Sequence, residues 1–280
     1  MLVNLKEILK FAGDNKIAVG AFNTPNLECA TAILSASETL EMPVMITHAQ
    51  LHETISPLTL IGPIMIRLAE KSSQLVCVHL DHGESLDYLK TALDMGFTGI
   101  MYDGSLLDYE ENAENTRKAV EMAKAYNVGV EAEIGVLGGR EAGASDADNA
   151  ERLYTDPALA LRFVEDTQID ALACSFGTAH GIYKAKPKLD FKRLAKINEL
   201  VKVPLVMHGG SGCSEEDYMN AITHGVRKIN YYSYMARAGV TAVKEFLEKT
   251  EVTFFHELAA CAETAMKKDA MAAMKIFGAS

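Results

Sequence analysis

"LVCVHLDHG", residues 75–83, sets an apolar run against groups that can bind metal or carry protons. Leu75-Val76-Cys77-Val78 reads as a strand buried on both faces, as in parallel sheets covered by helices. Such a strand should end in a turn residue. This one runs into His79, Asp81 and His82 before Gly83. Counting this run as 75–81, the chain holds eight of the kind; the others span 17–22, 43–48, 98–102, 128–134, 170–176, 203–208 and 226–231. Helical periodicity fills the stretches between them. Residues 190–200 place Phe191, Leu194, Ile197 and Leu200 on one face. Ser214 and Asp217 form a capping box that predicts a helix starting just after Ser214. Thr155-Asp156-Pro157 opens another helix, with Pro near its first position.

Alternation of eight strands with helices predicts an α/β fold, a (β/α)8 TIM barrel forming a single domain over residues 1–280. An extra N-terminal helix is expected over 5–12 and C-terminal helix over 254–277. A doubly wound sheet is the runner-up, because alternation alone does not prove closure. Residues 135–149, "GVLGGREAGASDADN", have four glycines and no periodicity, which predicts a long loop after the fifth strand.

The net charge of −11 argues against a nucleic-acid partner. It leaves room for a small phosphorylated substrate, which needs only a local pocket. The cysteines at 29, 77, 174, 213 and 261 have no C-x-x-C spacing, so reduced thiols and a cytoplasmic location are expected. Neither a signal peptide nor a membrane span is expected, as no apolar stretch approaches ~20 residues.

In a barrel of this type, chemistry gathers at the C-terminal ends of the strands. There the sequence places Asp81-His82, Asp103, Glu131 and Glu133, His180-Gly181, His208-Gly-Gly-Ser211, and Asn230 with Ser233. His82, His180 and His208 converge on one rim, each followed by glycine. Three protein nitrogens with an open fourth position are a catalytic zinc arrangement. Gly209, Gly210 and Ser211 follow the seventh strand, where this fold usually cradles phosphate; Asn230 and Ser233 close the cradle. Asp81 could exchange a proton with a substrate oxygen or orient a ligand histidine, and Glu141 could be a base delivered by the loop or a solvated loop charge. His48, His52 and Glu53 read as rim polarity, His79 as a satisfied interior residue, and His224 and His256 as structural.

The motifs "VHLDHG" (78–83), "MYDGS" (101–105), "VEAEIGVLGG" (130–139), "SFGTAHGIYKAKPKLDF" (175–191) and "VMHGGSG" (206–212) together resemble the class II, zinc-dependent ketose-bisphosphate aldolases, in the fructose/tagatose-bisphosphate branch. The similarity runs from "VGAFNTPNLE" at residue 19 to the terminal "KIFGAS". The resemblance implies Zn2+ on His82, His180 and His208, and carboxylates at a secondary metal position from Asp103 and Glu133. It implies Asp81 as the group handling the C4 oxygen proton and Glu141 as the group handling the C3 proton. Gly181, Gly209, Gly210, Ser211, Asn230 and Ser233 would hold dihydroxyacetone phosphate, with a monovalent cation (Na+ or K+) nearby. It also implies a homodimer or homotetramer, with a companion subunit in some members, and cleavage through an enediolate for which zinc acts as Lewis acid.

Two departures bear on the aldehyde half of the substrate. The family's N-x-x-T pattern after strand eight is here Asn230-Tyr231-Tyr232-Ser233-Tyr234, and "THAQLHE" (47–53) replaces small or hydroxyl residues. Arg140 and Arg237 are candidates for a distal phosphate. The competing readings are a non-catalytic companion subunit and a zinc hydrolase on the same fold. An early H-x-H signature, common in such hydrolases, is lacking, and every ligand and both acid–base carboxylates are present.

Overall fold

The computed structural model describes residues 1–135, 154–183 and 185–279. Helix α1 (Leu5–Asp14) precedes β1 (Val19–Asn23). Then follow α2 (Leu27–Leu40), β2 (Val44–Ala49), a 3-10 turn (Gln50–His52), α3 (Leu58–Lys71), β3 (Val76–Gly83), α4 (Leu86–Met95), β4 (Gly99–Tyr102), α5 (Tyr109–Lys124) and β5 (Gly129–Ile134). Beyond residue 153 come α6 (Pro157–Thr167), β6 (Ala171–Cys174), α7 (Phe191–Leu200), β7 (Leu205–Met207), α8 (Glu215–Thr223), β8 (Val226–Tyr231), α9 (Ser233–Lys249) and α10 (Phe255–Phe277). All strands are parallel, and β8 pairs back onto β1, Ala21 opposite Asn230, so the sheet is a closed barrel rather than an open one.

Local chemistry sets the helix starts. Ser214 and Asp217 form the expected capping box on α8. Asp156 accepts from the N–H groups of Ala158 and Leu159 at 2.9 Å, with Pro157 in the first turn of α6. Most strand boundaries shift by one to two residues from the sequence reading: β3 continues past Asp81 to Gly83, whereas β8 keeps its expected span, with Ser233 opening α9.

The strands bury both faces. Outward side chains such as Ile46, Val78, Ile100, Val130 and Leu205 pack against the helices. Inward side chains at the base of the barrel, Val19, Ala21, Met45, Cys77, Met101, Ala171 and Val206, form a second apolar cluster closed from below by Leu5, Ile8, Leu9 and Ala12 of α1. Glycine at 99 permits this plug, since a Cβ there would lie 3.2 Å from the Cβ of Leu5 and 2.5 Å from the ring of His79. At the other end of the chain, α10 packs across α2 and α9. The carbonyl of Phe277 accepts from the N–H of Ala18 at 3.0 Å, and the Phe277 ring meets Tyr218 and Tyr231 edge-on. Among the described residues no helix is long and apolar enough to cross a membrane.

Candidate active site

Above its apolar base the barrel interior becomes polar. On β3 the pleat turns His79 and Asp81 inward and Leu80 outward. The same alternation would turn His82 outward. Instead His82 adopts a left-handed backbone (φ 47°), and the β3–β4 register shifts between Leu80 and Gly83. The irregularity swings its ring inward, so neighbouring residues reach one site. Such a conformation costs a side-chain-bearing residue about 1–3 kcal/mol and is characteristic of functional positions.

The three expected histidines meet at the top of the barrel. Ring centroids of His82 lie 4.6 Å from His208 and 5.0 Å from His180. One ring nitrogen from each falls within 4.8 Å of the others. His82 Nδ1 is engaged by Asp103 Oδ2 at 2.6 Å, and His208 Nε2 by Glu131 Oε1 at 2.8 Å. Each carboxylate fixes one nitrogen as the N–H donor and leaves the other nitrogen of that ring, His82 Nε2 or His208 Nδ1, as a ligand. Those two lie 2.9 Å apart, facing one another. Three imidazoles oriented in part by carboxylates fit zinc better than a hard cation, which favours oxygen donors. His82, Asp103 and Glu133 form a second group whose donor atoms approach within 4.8 Å.

Asp81 lies beside this cluster. Asn230 Nδ2 donates to its Oδ1 at 3.0 Å and Asn23 Nδ2 to its Oδ2 at 3.2 Å. Burial alone would raise its carboxyl, but the charges of His82, Lys228 and His208 outweigh burial and hold it well below the usual carboxylate range. It is an oriented, ionised acceptor.

One cavity of about 290 Å3 joins these groups. Asp81, His82 and His180 lie in its wall with Gly181, Gly209, Ser211, Asn230 and Ser233, and with Asn23, Ala49, Leu51 and His52. Gly209 sits at φ 63°, where a Cβ would strike the Ala179 carbonyl at 2.4 Å, so this turn requires glycine. Tyr183 Oη accepts from Ala179 N–H and donates to the Gly209 carbonyl, both at 2.8 Å, tying the loops after β6 and β7 together. Ser211 Oγ accepts from the N–H groups of Tyr232 and Ser233 at the start of α9, at 2.8 and 3.1 Å, which leaves its own proton to donate. Gly210 does not line the cavity. Its N–H goes to the Asn230 carbonyl and its carbonyl takes the Tyr218 hydroxyl, so it serves the loop rather than a ligand.

Other expectations divide. Glu141 and Arg140 lie outside the described residues, as does Lys184. Arg237 stacks over the Tyr234 ring at 4.3 Å and lines a separate surface hollow, as does Tyr234; Tyr231 and Tyr232 do face the cavity. His48 is not rim polarity. It is fully buried, with Nε2 3.1 Å from the Tyr88 hydroxyl, and burial pushes it down to about 4. His52 is also buried and lines the cavity.

Lys228 and Asn23 were not anticipated as parts of the site, and Glu131, His79 and His52 were given no role in it. Glu131 is fully buried, and Lys228 Nζ, equally buried, meets both its oxygens at 3.0 and 2.7 Å. His79 Nε2 approaches the same carboxylate at 3.4 Å. Burial raises the Glu131 carboxyl, but Lys228, His208 and His79 more than offset this and keep it well below its ordinary value. The signal was available. Glu131 and Glu133 share parity on β5, and Lys228 shares parity with Asn230 on β8, so a charged residue inside each buried run demanded an interior partner. Asn23 and His52 carried no comparable signal.

A profile of the family described as "Fructose-bisphosphate aldolase class-II" matches residues 3–280. A fructose-bisphosphate aldolase of Geobacillus stearothermophilus is 37% identical over 283 aligned residues, spanning 100% of this chain and 98% of the relative. One from Staphylococcus epidermidis is 39% identical over 249 residues, spanning 88% of this chain and 86% of the relative. The crystal structure of the YdjI aldolase from Escherichia coli superposes with a TM-score of 0.88 at 32% identity, covering 99% of this chain and 98% of that one. Closed parallel barrel, histidine cluster and full-length similarity agree: the chain belongs to the class II fructose-bisphosphate aldolase family and is a metal-dependent aldehyde lyase.

Proposed function

We propose that this enzyme reversibly cleaves a ketose 1-phosphate or 1,6-bisphosphate, of the fructose or tagatose type, to dihydroxyacetone phosphate and an aldehyde, with zinc as its resident metal. The observation that carries this reading is the meeting of three imidazole nitrogens within 4.8 Å of one another beside the doubly hydrogen-bonded carboxylate of Asp81. The names of the relatives point to the same substrate class.

In cleavage the C3–C4 bond breaks, its electron pair moves toward the C2 carbonyl, and the C4 hydroxyl loses its proton. Asp81 takes that proton, since the amides of Asn23 and Asn230 orient its oxygens and leave them as acceptors. Zinc held by His82, His180 and His208 would supply a Lewis acid for the oxygen that gathers charge. Asp103 and Glu131 orient His82 and His208 for that purpose. Ser211 and the loop carrying Gly209 hold the C1 phosphate at the start of α9, where the helix dipole favours an anion. Return of a proton to C3 is the step that the family resemblance implies for Glu141.

The test is coupled release of dihydroxyacetone phosphate from a panel of ketose 1-phosphates and 1,6-bisphosphates, with and without chelator. Cleavage of at least one member, lost with chelator and restored by zinc, is expected. Cleavage indifferent to chelator, or silence across the panel in zinc-loaded enzyme, overturns the reading.

A further inference from the structure

Met101 stands where the apolar base of the barrel meets its polar top. It is fully buried and belongs to the base cluster, one inward step of the pleat below Asp103. A methionine there reads as core filling. Its sulfur nevertheless accepts the backbone N–H of His82 at 3.4 Å, across the seam between β3 and β4. Sulfur is a weak acceptor, and a strand N–H ordinarily donates to a carbonyl of the neighbouring strand. The departure falls where the β3–β4 register slips and where His82 takes its left-handed backbone.

That N–H belongs to the peptide joining Asp81 to His82. The orientation of this one peptide plane therefore bears on how both the carboxylate and the imidazole come to face inward. The rest of the turn is held from the β4 side as well. Asp103 N–H donates to the Gly83 carbonyl at 2.8 Å, and Asp103 Oδ2 engages His82 Nδ1 at 2.6 Å. The other oxygen of Asp103 accepts from the Ser105 N–H and hydroxyl, at 3.1 and 2.7 Å. A Cβ on Gly83 would lie 2.8 Å from the Met101 carbonyl, so the two strands approach here as closely as glycine permits.

A strained backbone persists only where its surroundings over-determine it. Here Asp103 fixes the His82 ring and the carbonyl that follows, and the Met101 sulfur fixes the N–H that precedes. Leucine would fill nearly the same volume as methionine but would offer no acceptor, so packing and hydrogen bonding can be separated at this position.

Resting on the zinc assignment above, we propose that Met101 is a positioning residue whose sulfur holds the Asp81–His82 peptide, so that His82 keeps its left-handed backbone and presents its ring to the metal.

The test compares wild type, Met101→Leu and Met45→Leu. Met45 is a fully buried methionine of the same base cluster, and its sulfur takes no hydrogen bond among the described residues. Zinc affinity is measured by chelator competition, and exchange of the His82 amide hydrogen is followed by NMR in the zinc-free protein. Met101→Leu should weaken zinc binding about tenfold and speed exchange at His82 about tenfold, because the N–H has lost its acceptor and the ligand its support. Met45→Leu should change each by less than about twofold. The proposal is overturned if both leucine variants weaken zinc equally, which would make the effect one of packing, or if Met101→Leu leaves exchange at His82 unchanged. Wild type that takes up no zinc would instead overturn the zinc assignment, while exchange at His82 would still decide whether the sulfur holds the turn.

Discussion

The base and the top of the barrel interior are built by the same strands and differ by a step or two of the pleat. Cys77 gives way to His79 and Asp81 on β3, Met101 to Asp103 on the β4 side, and Val206 to His208 after β7. Below, apolar side chains close on α1 and stabilise the fold by burial. Above, Glu131, Lys228, His79 and Asp81 are just as deeply buried, yet each is polar and held by others. The contrast shows that position inside a barrel does not decide what a residue contributes. The lower layer supplies stability that the upper layer, with its desolvated charges, does not.

Substitution should separate the layers. The largest effect is expected from Asp81→Asn, which lowers kcat by roughly 10²- to 10⁴-fold with zinc content and thermal midpoint nearly unchanged; steady-state kinetics and metal analysis check this. Lys228→Met leaves Glu131 as an uncompensated buried charge and should cost about 3–5 kcal/mol in urea unfolding. A double variant, Lys228→Met with Glu131→Leu, should recover most of that stability. Its zinc affinity, measured by chelator competition, should stay roughly 10- to 100-fold weakened because His208 has lost its orienting carboxylate. Equal affinity would show that Glu131 serves folding alone.

Ile8→Ala, in the plug, should cost about 2–5 kcal/mol and leave kcat where it is. Acid should act mainly on the polar layers and their surroundings. His48, held down at about 4 by burial, stays neutral in the folded chain, while the unfolded chain takes up its proton below about 6.5. Its contribution is therefore complete above pH 6.5 and falls away with acid, by about 2 kcal/mol at pH 5. His79, His52 and His208 shift the same way, each with burial as the leading cause. A urea midpoint equal at pH 7.5 and pH 5 would contradict this, and Ile8→Ala should show the same slope as wild type. A smaller effect is expected from Ser211→Ala, which removes one hydrogen bond to the anionic phosphate and raises KM about tenfold or somewhat more.

The barrel was legible because each buried strand leaves a short apolar run, and closure needed only the β1–β8 pairing that the runs could not show. The histidines were legible because three of them end such runs. That Asp81 and His82 both face inward was not legible, since strict alternation forbids it; a left-handed residue and a slipped register lie behind it. Glu131 and Lys228 were readable in principle from parity, because an interior charge in a buried strand must find its opposite. His52 sits in a 3-10 turn with no periodicity, so only the folded chain shows which way it faces.

The hydrogen bond between Ala18 and Phe277, with α10 lying across α2, joins the approach to the first strand with a helix made long after it. A chain emerging from the ribosome has committed its first strand long before the helix that covers it exists, and β1 must also wait for β8 to be made. Until then Phe22, Ile33 and their neighbours remain open to other partners. Contacts of such long reach slow folding and lengthen the exposure of sticky surface. The last turn of α10 therefore acts as a latch on biogenesis, so that loss of Phe277 should tell more on the yield of soluble protein during synthesis than on turnover by molecules already folded.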